Sequence, residues 1–301
     1  MSQDNNRAYI ALVLVSIVWG TTYVAARVGA NQMPGFFVAA VRHFLSGAVL
    51  VAFYLLRGYK IPPLATLKTI SIQGFFLLCL ANGMLTWSMQ YLSGGMAAII
   101  VALVPLFVAL FSLGEKGKGR ITKLMWVGWI AGLAGVIFIF WDYLHVSGSE
   151  NRWIGFVLAF ASVIAWAWGT VYTSRQSPQK EILFGAGLQM FISGAFMLLL
   201  CAITGYYVQP SQIEASGWFA LGYLVIFGSL IAYSAYVFAL AKLPASLVSI
   251  YAYINPVVAV LLGWMLLAEN INTKIAIGIL ITLGGVYLVN NEFKKLRHES
   301  H

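Results

Sequence analysis

The sequence predicts an all-α membrane protein with ten transmembrane helices, arranged as two inverted five-helix repeats with both termini in the cytoplasm. Three observations predict this fold: the composition, ten long apolar runs, and a set of motifs that occurs twice. The chain has 301 residues, of which 61% are hydrophobic and only 9% are charged. A soluble domain carries about a quarter charged residues. The composition therefore excludes soluble enzymes, nucleic-acid-binding domains and secreted disulfide scaffolds.

Each of the ten apolar runs is long enough to cross a bilayer. A spanning helix needs about 20 apolar residues, because the hydrocarbon layer is about 30 Å thick and a helix rises about 1.5 Å per residue. The runs are apolar on all sides, which favours spanning helices over amphipathic surface helices. In order, the predicted spans are Tyr9–Val28, Gly35–Leu56, Ile70–Leu92, Met96–Leu113, Leu124–Trp141, Trp153–Thr173, Ile182–Thr204, Gly217–Leu240, Ser246–Ala268 and Ile275–Asn290. The connections are short, so consecutive helices are expected to be antiparallel.

The distribution of Lys and Arg predicts the orientation in the membrane. Cytoplasmic loops of membrane proteins carry an excess of these residues. With the N-terminus inside, 14 of the 18 Lys and Arg residues fall in cytoplasmic segments, three fall outside, and Arg42 lies within a span. This division supports an even number of helices. We therefore expect a multi-pass protein of the cell (inner) membrane with both termini in the cytoplasm.

Motifs of the first half of the chain return in the second half, in the same order and at nearly constant spacing. The pairs are Trp19-Gly20-Thr21 with Trp168-Gly169-Thr170 after 149 residues, Phe44–Ala48 with Phe191–Ala195 after 147, Pro105 with Pro256 after 151, and Gly135-Val136 with Gly285-Val286 after 150. Four similar offsets in one order indicate an internal duplication with five helices per unit.

The odd number of helices per unit has a structural consequence. The second unit must enter the membrane from the side opposite to the first, so the two units are inverted repeats. The predicted division is residues 1–141 for the first repeat, 142–152 for an extracytoplasmic connection, 153–291 for the second repeat and 292–301 for a cytoplasmic tail. Two similar units in opposite orientations can exchange conformations, which favours alternating access of a central cavity to the two sides.

On these residues the chain resembles the EamA domains of the drug/metabolite transporter superfamily. The residues that carry the resemblance are Trp19-Gly20-Thr21, Arg42, Pro105, Trp168-Gly169-Thr170, Asn255-Pro256, Leu266–Glu269 and Gly278 with Gly285-Val286. The resemblance covers nearly the whole chain and implies a ten-helix secondary carrier for small metabolites, often amino acids and often in the direction of export. A multidrug or other-metabolite exporter of the same fold is the main alternative, and a channel or membrane enzyme is disfavoured. The first repeat departs from the pattern after Pro105, where Leu113-Gly114-Glu115 follows too soon, so the end of its fourth helix is expected to be shorter.

Polar and aromatic side chains at helical spacing within the spans identify candidate substrate-binding residues. Polar groups are costly in hydrocarbon and face the bundle interior or a wet cavity, and residues four apart share a helix face. The candidates are Trp19, Tyr23, Asn82, Thr86, Gln90, Trp166, Trp168, Tyr233, Ser249, Tyr253 and Asn255. Asn82 and Gln90 are equally suited to ligand contacts and to contacts between helices. Ser16, Ser162, Thr170 and Ser246 are expected to bond to their own helices instead.

Two prolines and one arginine within spans carry separate predictions. A proline removes a backbone hydrogen bond and kinks its helix, so Pro105 and Pro256 are candidate gating positions or fixed kinks. Arg42 lies about 12 Å from the outer end of its span, at about 1.5 Å per residue. It is expected to reach outward to the membrane surface, and the alternative is that it attracts a substrate carboxylate. His43 is expected to face lipid, with proton transfer as the alternative.

The positions of the acidic residues limit the class of substrate. All nine lie in tails, loops or span ends, with Glu115 and Glu269 closing the fourth and ninth helices. Proton-driven pumps usually use a carboxylate buried in the membrane, so this pattern favours a neutral, zwitterionic or aromatic cargo over a polycation. The scattered histidines and the two packing cysteines predict neither cofactor nor metal. The expected partners are a small-molecule substrate and the lipid bilayer, without nucleic acid, for a monomer or homodimer.

Overall fold

The computed structural model describes residues 3–112, 122–145, 151–177, 181–269 and 273–299. These residues contain ten helices that are long and apolar enough to cross a membrane, which confirms the predicted number. In chain order the helices are α1 (Gln3–Gln32), α2 (Gly35–Leu56), α3 (Leu64–Ser88), α4 (Gly94–Ser112), α5 (Lys123–His145), α6 (Arg152–Ser174), α7 (Ile182–Thr204), α8 (Ala215–Lys242), α9 (Ala245–Leu267) and α10 (Thr273–Glu299).

Several helix ends differ from the ends of the predicted spans. Hydropathy marks only the part of a helix that is bathed in lipid, whereas α1 and α10 continue into polar residues beyond it. Helix α3 begins at Leu64, six residues before the apolar run, and ends at Ser88, four residues before the run ends. After Ser88 the chain tightens into turns in which the backbone N–H of Gln90 and of Tyr91 each reach back three residues. Gln90 therefore lies beyond the helix on which we placed it.

Helices α3 and α8 each contain a π-helical segment in the middle. The segments are Phe75–Asn82 in α3 and Leu224–Ile231 in α8. They are separated by 149 residues, the offset that also separates Trp19 from Trp168. Segments of π-helix are rare and occur frequently at functional sites. Their recurrence at equivalent positions extends the sequence repeat to the backbone conformation.

Helices α2 and α7 pack closely through equivalent residues. A Cβ added to Gly47 would lie 2.5 Å from the Cα of Phe191, and one added to Gly194 would lie 2.6 Å from the Cα of Phe44. The rings of Phe44 and Phe191 stack with their centroids 5.2 Å apart. In the repeat, Phe44 and Gly47 correspond to Phe191 and Gly194, so the same contact is made twice with the partners exchanged. Such reciprocal contacts are the signature of a two-fold axis.

Helices α5 and α10 form a second reciprocal contact. A Cβ on Gly128 would lie 2.6 Å from the carbonyl oxygen of Gly285, and one on Gly135 would lie 2.8 Å from that of Gly278. Gly128 and Gly135 correspond to Gly278 and Gly285 in the repeat. Small residues let helix backbones approach closely within a membrane. The two pairs together are the reciprocal contacts expected of two units related by a two-fold axis.

The first helix of each repeat packs into the other repeat. Helix α1 contacts α8 and α9, while α6 contacts α3 and α4. The glycine of each Trp-Gly-Thr motif makes this crossing close, because a Cβ on Gly20 would lie 2.6 Å from the Cβ of Val258, and one on Gly169 would lie 2.9 Å from Leu77. The two Trp-Gly-Thr motifs therefore lie at the interface between the repeats, where the cavity described below also lies.

The two ends of the bundle are named here by one residue each. At the Gly94 end, α1, α3 and α9 finish and α2, α4 and α6 begin; at the Arg175 end, α6 finishes and α7 begins. The expectation that α1 begins in the cytoplasm, which would place the Gly94 end outside, stays a prediction from the Lys and Arg distribution.

Candidate functional site

A cavity with about 560 Å³ of space lies between α1, α2, α3, α4, α6 and α9. Both repeats therefore contribute to its wall. Of the residues predicted from the sequence, those that line it are Trp19, Tyr23, Arg42, Asn82, Thr86, Trp166 and Asn255. No carboxylate is among the described residues that line it. The cavity thus combines apolar walls with a few polar groups and one cation.

A cluster of four aromatic rings is centred on Trp19, and three of them, those of Trp19, Trp166 and Tyr251, line the cavity. Trp19 is 8% exposed, and its ring centroid lies 5.3 Å from that of Trp166, 5.2 Å from that of Tyr236 and 5.0 Å from that of Tyr251. The rings of Trp19 and Trp166 meet edge to face at 82°. Aromatic pairs in such arrangements add about 0.5–1.5 kcal/mol each beyond the burial of their surface. The cluster therefore gives the cavity a rigid apolar wall.

The π-helical segment of α8 holds both Trp19 and Arg42. The indole Nε1 of Trp19 donates to the carbonyl oxygen of Gly228 at 3.1 Å. The Nε of Arg42 donates to the hydroxyl of Ser229 at 2.7 Å. A Cβ on Gly228 would lie 2.7 Å from the Nη2 of Arg42, so a larger residue at this position would require the guanidinium to shift.

The expectation that Arg42 reaches outward is wrong. Its side chain is 4% exposed and lines the cavity. From its distance to the helix end alone, the side chain of Arg42 could point outward or into the bundle. It points into the bundle because the hydroxyl of Ser229 on α8 binds its guanidinium there.

The expectation that His43 faces lipid is also wrong. Its side chain is fully buried, and its Nε2 lies 3.0 Å from the Oδ1 of Asn82. An imidazole inside the bundle finds a polar partner that lipid cannot provide. The pair joins α2 to α3 and fixes Asn82 at the end of the π-helical segment of α3.

Other polar residues hold the helices around the cavity. In the orientation that satisfies both ends of its amide, Asn255 donates to the backbone carbonyls of Ser16 at 3.0 Å and Tyr251 at 3.3 Å, which joins α9 to α1. Thr86 donates to the carbonyl of Asn82 at 2.9 Å, within its own helix. The predicted bonds of hydroxyls to their own helices are confirmed for Ser16 to Leu12, Ser162 to Ala159 and Thr170 to Trp166, and the bond of Ser246 stays a prediction.

Five of the predicted binding residues lie outside this cavity. Four of them hydrogen-bond elsewhere in the protein: Tyr206 donates to Gln90, Tyr233 donates to Gln189, Ser249 donates to the carbonyl of Ser246, and Tyr253 donates to that of Val286. The fifth, Trp168, is 36% exposed and packs against Phe76 and Tyr172. These side chains connect helices or cover the bundle surface in this structure.

The two prolines occupy different local structures. Pro105 is the second residue of a helical segment that begins at Val104, directly after a break in α4, whereas Pro256 lies inside a continuous segment of α9. In α9 the break comes earlier, at Ser249 and Ile250. The break of α4 lies on the cavity wall, since Val101 and Val104 line it. The gating role of Pro105 and Pro256 stays a prediction.

Sequence reasoning missed several residues of the wall. Val101, Val104, Leu85 and Met89 are apolar residues in apolar spans, and nothing in their type distinguishes them from residues that face lipid. Tyr251 offered a signal, because it lies four residues before Asn255 and therefore shares its helix face. Within the described residues, His, Cys, Asp and Glu side chains form no group of three or more that could hold a metal ion.

At the Gly94 end, a carboxylate links the end of α9 to the start of α4. Glu269 follows α9 and accepts hydrogen bonds from the backbone N–H of Gly94 at 3.1 Å and of Gly95 at 3.4 Å. These groups are the free donors at the start of α4, where a negative charge is favourable. The prediction that Glu269 closes the ninth helix thus gains a specific partner. Its counterpart Glu115, with the end of helix four at Leu113-Gly114-Glu115, lies outside the described residues.

We predict that Glu269→Gln loosens the Gly94 end. The variant keeps the shape of the side chain but loses the charge that strengthens both hydrogen bonds, at a cost of about 1 kcal/mol. In a chain with Ala26→Cys, which places a thiol on the cavity wall, labelling by a membrane-impermeant thiol reagent should become faster.

The matched control is Glu181→Gln, because Glu181 precedes α7 at the opposite end and makes no hydrogen bond to that helix end through its side chain. Cys79 and Cys201 are each only 2% exposed, so they are expected to contribute little background labelling. Equal labelling rates with and without Glu269→Gln would show that the carboxylate does not hold this end closed.

Comparison with known proteins matches this architecture. The profile of the EamA-like transporter family matches residues 6–141 and again residues 153–291. A protein named as an uncharacterized inner membrane transporter, YedA, from Escherichia coli (strain K12) is 40% identical over 276 residues, which cover 90% of this chain and 87% of that protein. An uncharacterized transporter, YoaV, from Bacillus subtilis (strain 168) is 24% identical and covers 96% of this chain and 98% of its own length.

A solved crystal structure supports the fold independently. It superposes with a TM-score of 0.69 at 21% sequence identity and covers 96% of this chain and 98% of that chain. At this identity the likeness concerns the fold alone, whereas the double match of the family profile and the 40% identical relative concern the sequence. The chain belongs to the EamA-like transporter family.

Proposed function

We propose that this chain is a secondary transporter of the inner membrane that moves small metabolites, with amino acids as the expected class, as an exporter or facilitator. The proposed mechanism is alternating access between two five-helix repeats, residues 1–141 and 153–291. The observation that carries the proposal is the cavity between α1, α2, α3, α4, α6 and α9, because it has walls from both repeats and combines aromatic rings with a few polar groups.

The depth of the cavity supports a transport site. Trp19, Val104, Val163 and Asn255 line it, and each lies at or next to the middle of its span. Substrate sites of transporters built from inverted repeats lie near the bilayer midplane at the interface of the repeats. The broken α4 and the π-helical segments of α3 and α8 supply irregular backbone there, which is tolerated within a membrane where it is buried in protein or lines a cavity.

A second cavity supports alternating access. It has about 580 Å³ of space and lies between α6, α7 and α8 toward the Arg175 end, with Gln73 of α3. Helices α6, α7 and α8 are the repeat counterparts of α1, α2 and α3, which line the first cavity. Gln189, the counterpart of Arg42, lines the second cavity. Two related cavities toward opposite ends are what an exchange of conformations between inverted repeats would use.

The relatives point to the same activity. The Escherichia coli and Bacillus subtilis proteins are named as transporters, and the former is named as an inner membrane protein. The described residues of the cavity wall include no carboxylate, so a cationic drug would lack an ionic partner there. This favours a metabolite over the alternative of a multidrug exporter.

The proposal is tested by counterflow in proteoliposomes that contain the purified full-length chain. Vesicles preloaded with one member of a panel of amino acids, organic acids, sugars and nucleosides should take up the labelled form of the same compound faster than empty vesicles. Uptake should saturate with concentration, because each turnover requires the cavity to close around one substrate.

Two outcomes would contradict the proposal. A channel would give flux that does not saturate and is not stimulated by substrate on the opposite side. Exchange of cationic drugs with no exchange of metabolites would instead support the multidrug alternative. Protein-free vesicles and vesicles with a Trp19→Ala variant provide the background for both measurements.

A further inference from the structure

Arg42 places an enclosed positive charge on the cavity wall. It is the eighth residue of α2, which begins at Gly35, so it lies about two helical turns into the helix. The structure gives its guanidinium one hydrogen bond, from Nε to the hydroxyl of Ser229 at 2.7 Å. The terminal nitrogens, which carry the planar pair of donors, therefore have no partner among the described residues.

The described residues also leave this charge without a counter-ion. None of them forms an ion pair with Arg42, and the described lining of the cavity contains no Asp or Glu. Removal of a charge from water is costly unless the charge is paired and hydrogen-bonded. A guanidinium held inside a membrane protein without a carboxylate is therefore a strong attractor for an anion that enters the cavity.

We propose that Arg42 binds the carboxylate of the transported molecule, and that the substrate is a small organic monoanion whose amino group, if it has one, is not required. This inference rests on the proposed transport function and departs from the expected amino acids in one respect, because a zwitterionic amino acid carries no net negative charge. An arginine presents two parallel N–H donors that match the two oxygens of a carboxylate. Because Ser229 occupies Nε, the pair Nη1 and Nη2 is the end that meets the ligand.

The surroundings of Arg42 fit this class of ligand. The Oδ1 of Asn82 accepts a hydrogen bond from the Nε2 of His43, which leaves the amide nitrogen of Asn82 as a further donor on the cavity wall. The aromatic rings of Trp19, Trp166 and Tyr251 line the same cavity and suit an apolar substituent of the ligand. One cation without a carboxylate balances a net charge of −1, and it offers an ammonium group no ionic partner.

The second repeat shows the contrast. Gln189 stands at the repeat position of Arg42 and is already satisfied, since its Nε2 donates to Gln73 at 2.6 Å and its Oε1 accepts from Tyr233 at 2.6 Å. The anion site therefore exists in one of the two related cavities only. Gln189 also shows that a glutamine fits this position of the fold, which makes Arg42→Gln a suitable test.

The experiment compares acids with the corresponding amides, which lack the negative charge of the carboxylate. Phenylacetate is paired with phenylacetamide, and L-phenylalanine with L-phenylalaninamide, as competitors of labelled phenylacetate in counterflow and as stabilisers of the purified protein against heat. A hydrogen-bonded pair with a charged group corresponds to a preference of about tenfold or more. Wild-type protein should prefer each acid over its amide by that factor, and phenylacetate should compete at least as well as phenylalanine.

The variants assign the preference to Arg42. Arg42→Gln should reduce the preference for acids to about twofold or less, while Arg42→Lys, which keeps the charge without the fork, should retain part of it. Arg7→Gln removes one positive charge at an exposed position of α1 and should leave the preference unchanged. If Arg42→Gln does not yield a monodisperse protein, Ser229→Ala, which frees the guanidinium, serves as the second variant and should weaken the preference.

The outcomes separate this inference from the proposed function. Wild-type protein that exchanges amides as well as acids, or an Arg42→Gln variant that keeps the acid preference, would overturn the anion site while transport stands. Stabilisation by acids without any counterflow would support the anion site and contradict transport. A requirement for the amino group, seen as competition by phenylalanine but not by phenylacetate, would contradict the assigned substrate class.

Discussion

A single methyl group at Gly47 or at Gly194 is expected to destabilise the protein strongly. In Gly47→Ala the new Cβ would lie 2.5 Å from the Cα of Phe191, and in Gly194→Ala it would lie 2.6 Å from that of Phe44. The opposing atoms are helix backbone, which cannot turn aside as a flexible side chain can. Overpacking of a core typically costs about 1–3 kcal/mol, and separation of α2 from α7 would also disturb Arg42 and His43 on the same helix. We expect a cost at or above the upper end of that range.

The yield of monodisperse protein in detergent and its unfolding temperature measure this effect. The matched control is Gly222→Ala in α8, where the added Cβ meets no atom within 4 Å. There the substitution should be neutral or stabilise the protein by about 0.5–1 kcal/mol, since alanine is the better helix former. Equal unfolding temperatures for Gly47→Ala and Gly222→Ala would show that the two helices are not packed as closely as the structure has them.

Trp19→Ala is expected to abolish transport and to destabilise the protein, whereas Trp168→Ala is expected to do neither. Trp19 is 8% exposed, contacts three aromatic rings and donates to the carbonyl of Gly228 at 3.1 Å. Truncation of a buried tryptophan typically costs about 3–5 kcal/mol. Trp168 occupies the same position of the second repeat, yet it is 36% exposed and lies outside the cavity.

Counterflow and the unfolding temperature, measured on both variants, separate the two tryptophans. Trp19→Phe tests the hydrogen bond alone: it keeps most of the ring packing but loses the N–H donor, so it should retain the fold and lower the rate of exchange. If Trp168→Ala stops transport as fully as Trp19→Ala does, the sequence prediction that both tryptophans bind substrate would be favoured over the cavity that the structure shows.

The internal repeat allowed the sequence to predict the symmetry but not the role of each symmetric residue. Trp19 and Trp168 occupy the same motif, and no local pattern distinguishes them. The packing of their helices does not distinguish them either, because the contact of α1 with α8 and α9 is the repeat counterpart of the contact of α6 with α3 and α4. The difference lies in the side chains: Trp19 donates to the carbonyl of Gly228 and packs among three aromatic rings, whereas Trp168 packs against Phe76 and Tyr172 and is 36% exposed. Both tryptophans were therefore predicted to bind substrate, whereas Trp19 lines the cavity and Trp168 does not.

The third helix shows how backbone geometry limits prediction from spacing. Asn82, Thr86 and Gln90 are four residues apart and were expected to share one face of an α-helix. Asn82 ends a π-helical segment and Gln90 lies beyond the last helical residue, Ser88. Asn82 and Thr86 line the cavity, whereas Gln90 accepts a hydrogen bond from Tyr206. Spacing predicts a shared face only where the helix is regular over the whole stretch.

The sequence by itself determined the number of spans, their inversion and the family of the protein. Hydropathy is a property of each segment alone, and a duplication is visible wherever two segments are compared, so neither depends on how the helices pack. Only the tertiary structure decided which side chains meet in the cavity. The rotation of each helix about its axis depends on contacts between distant segments, such as the hydroxyl of Ser229 that holds Arg42 inside the bundle. The free energy of burying that charge depends on the loss of its solvation and on the hydrogen bond that another helix offers in exchange. Neither can be read from the segment that carries Arg42 alone.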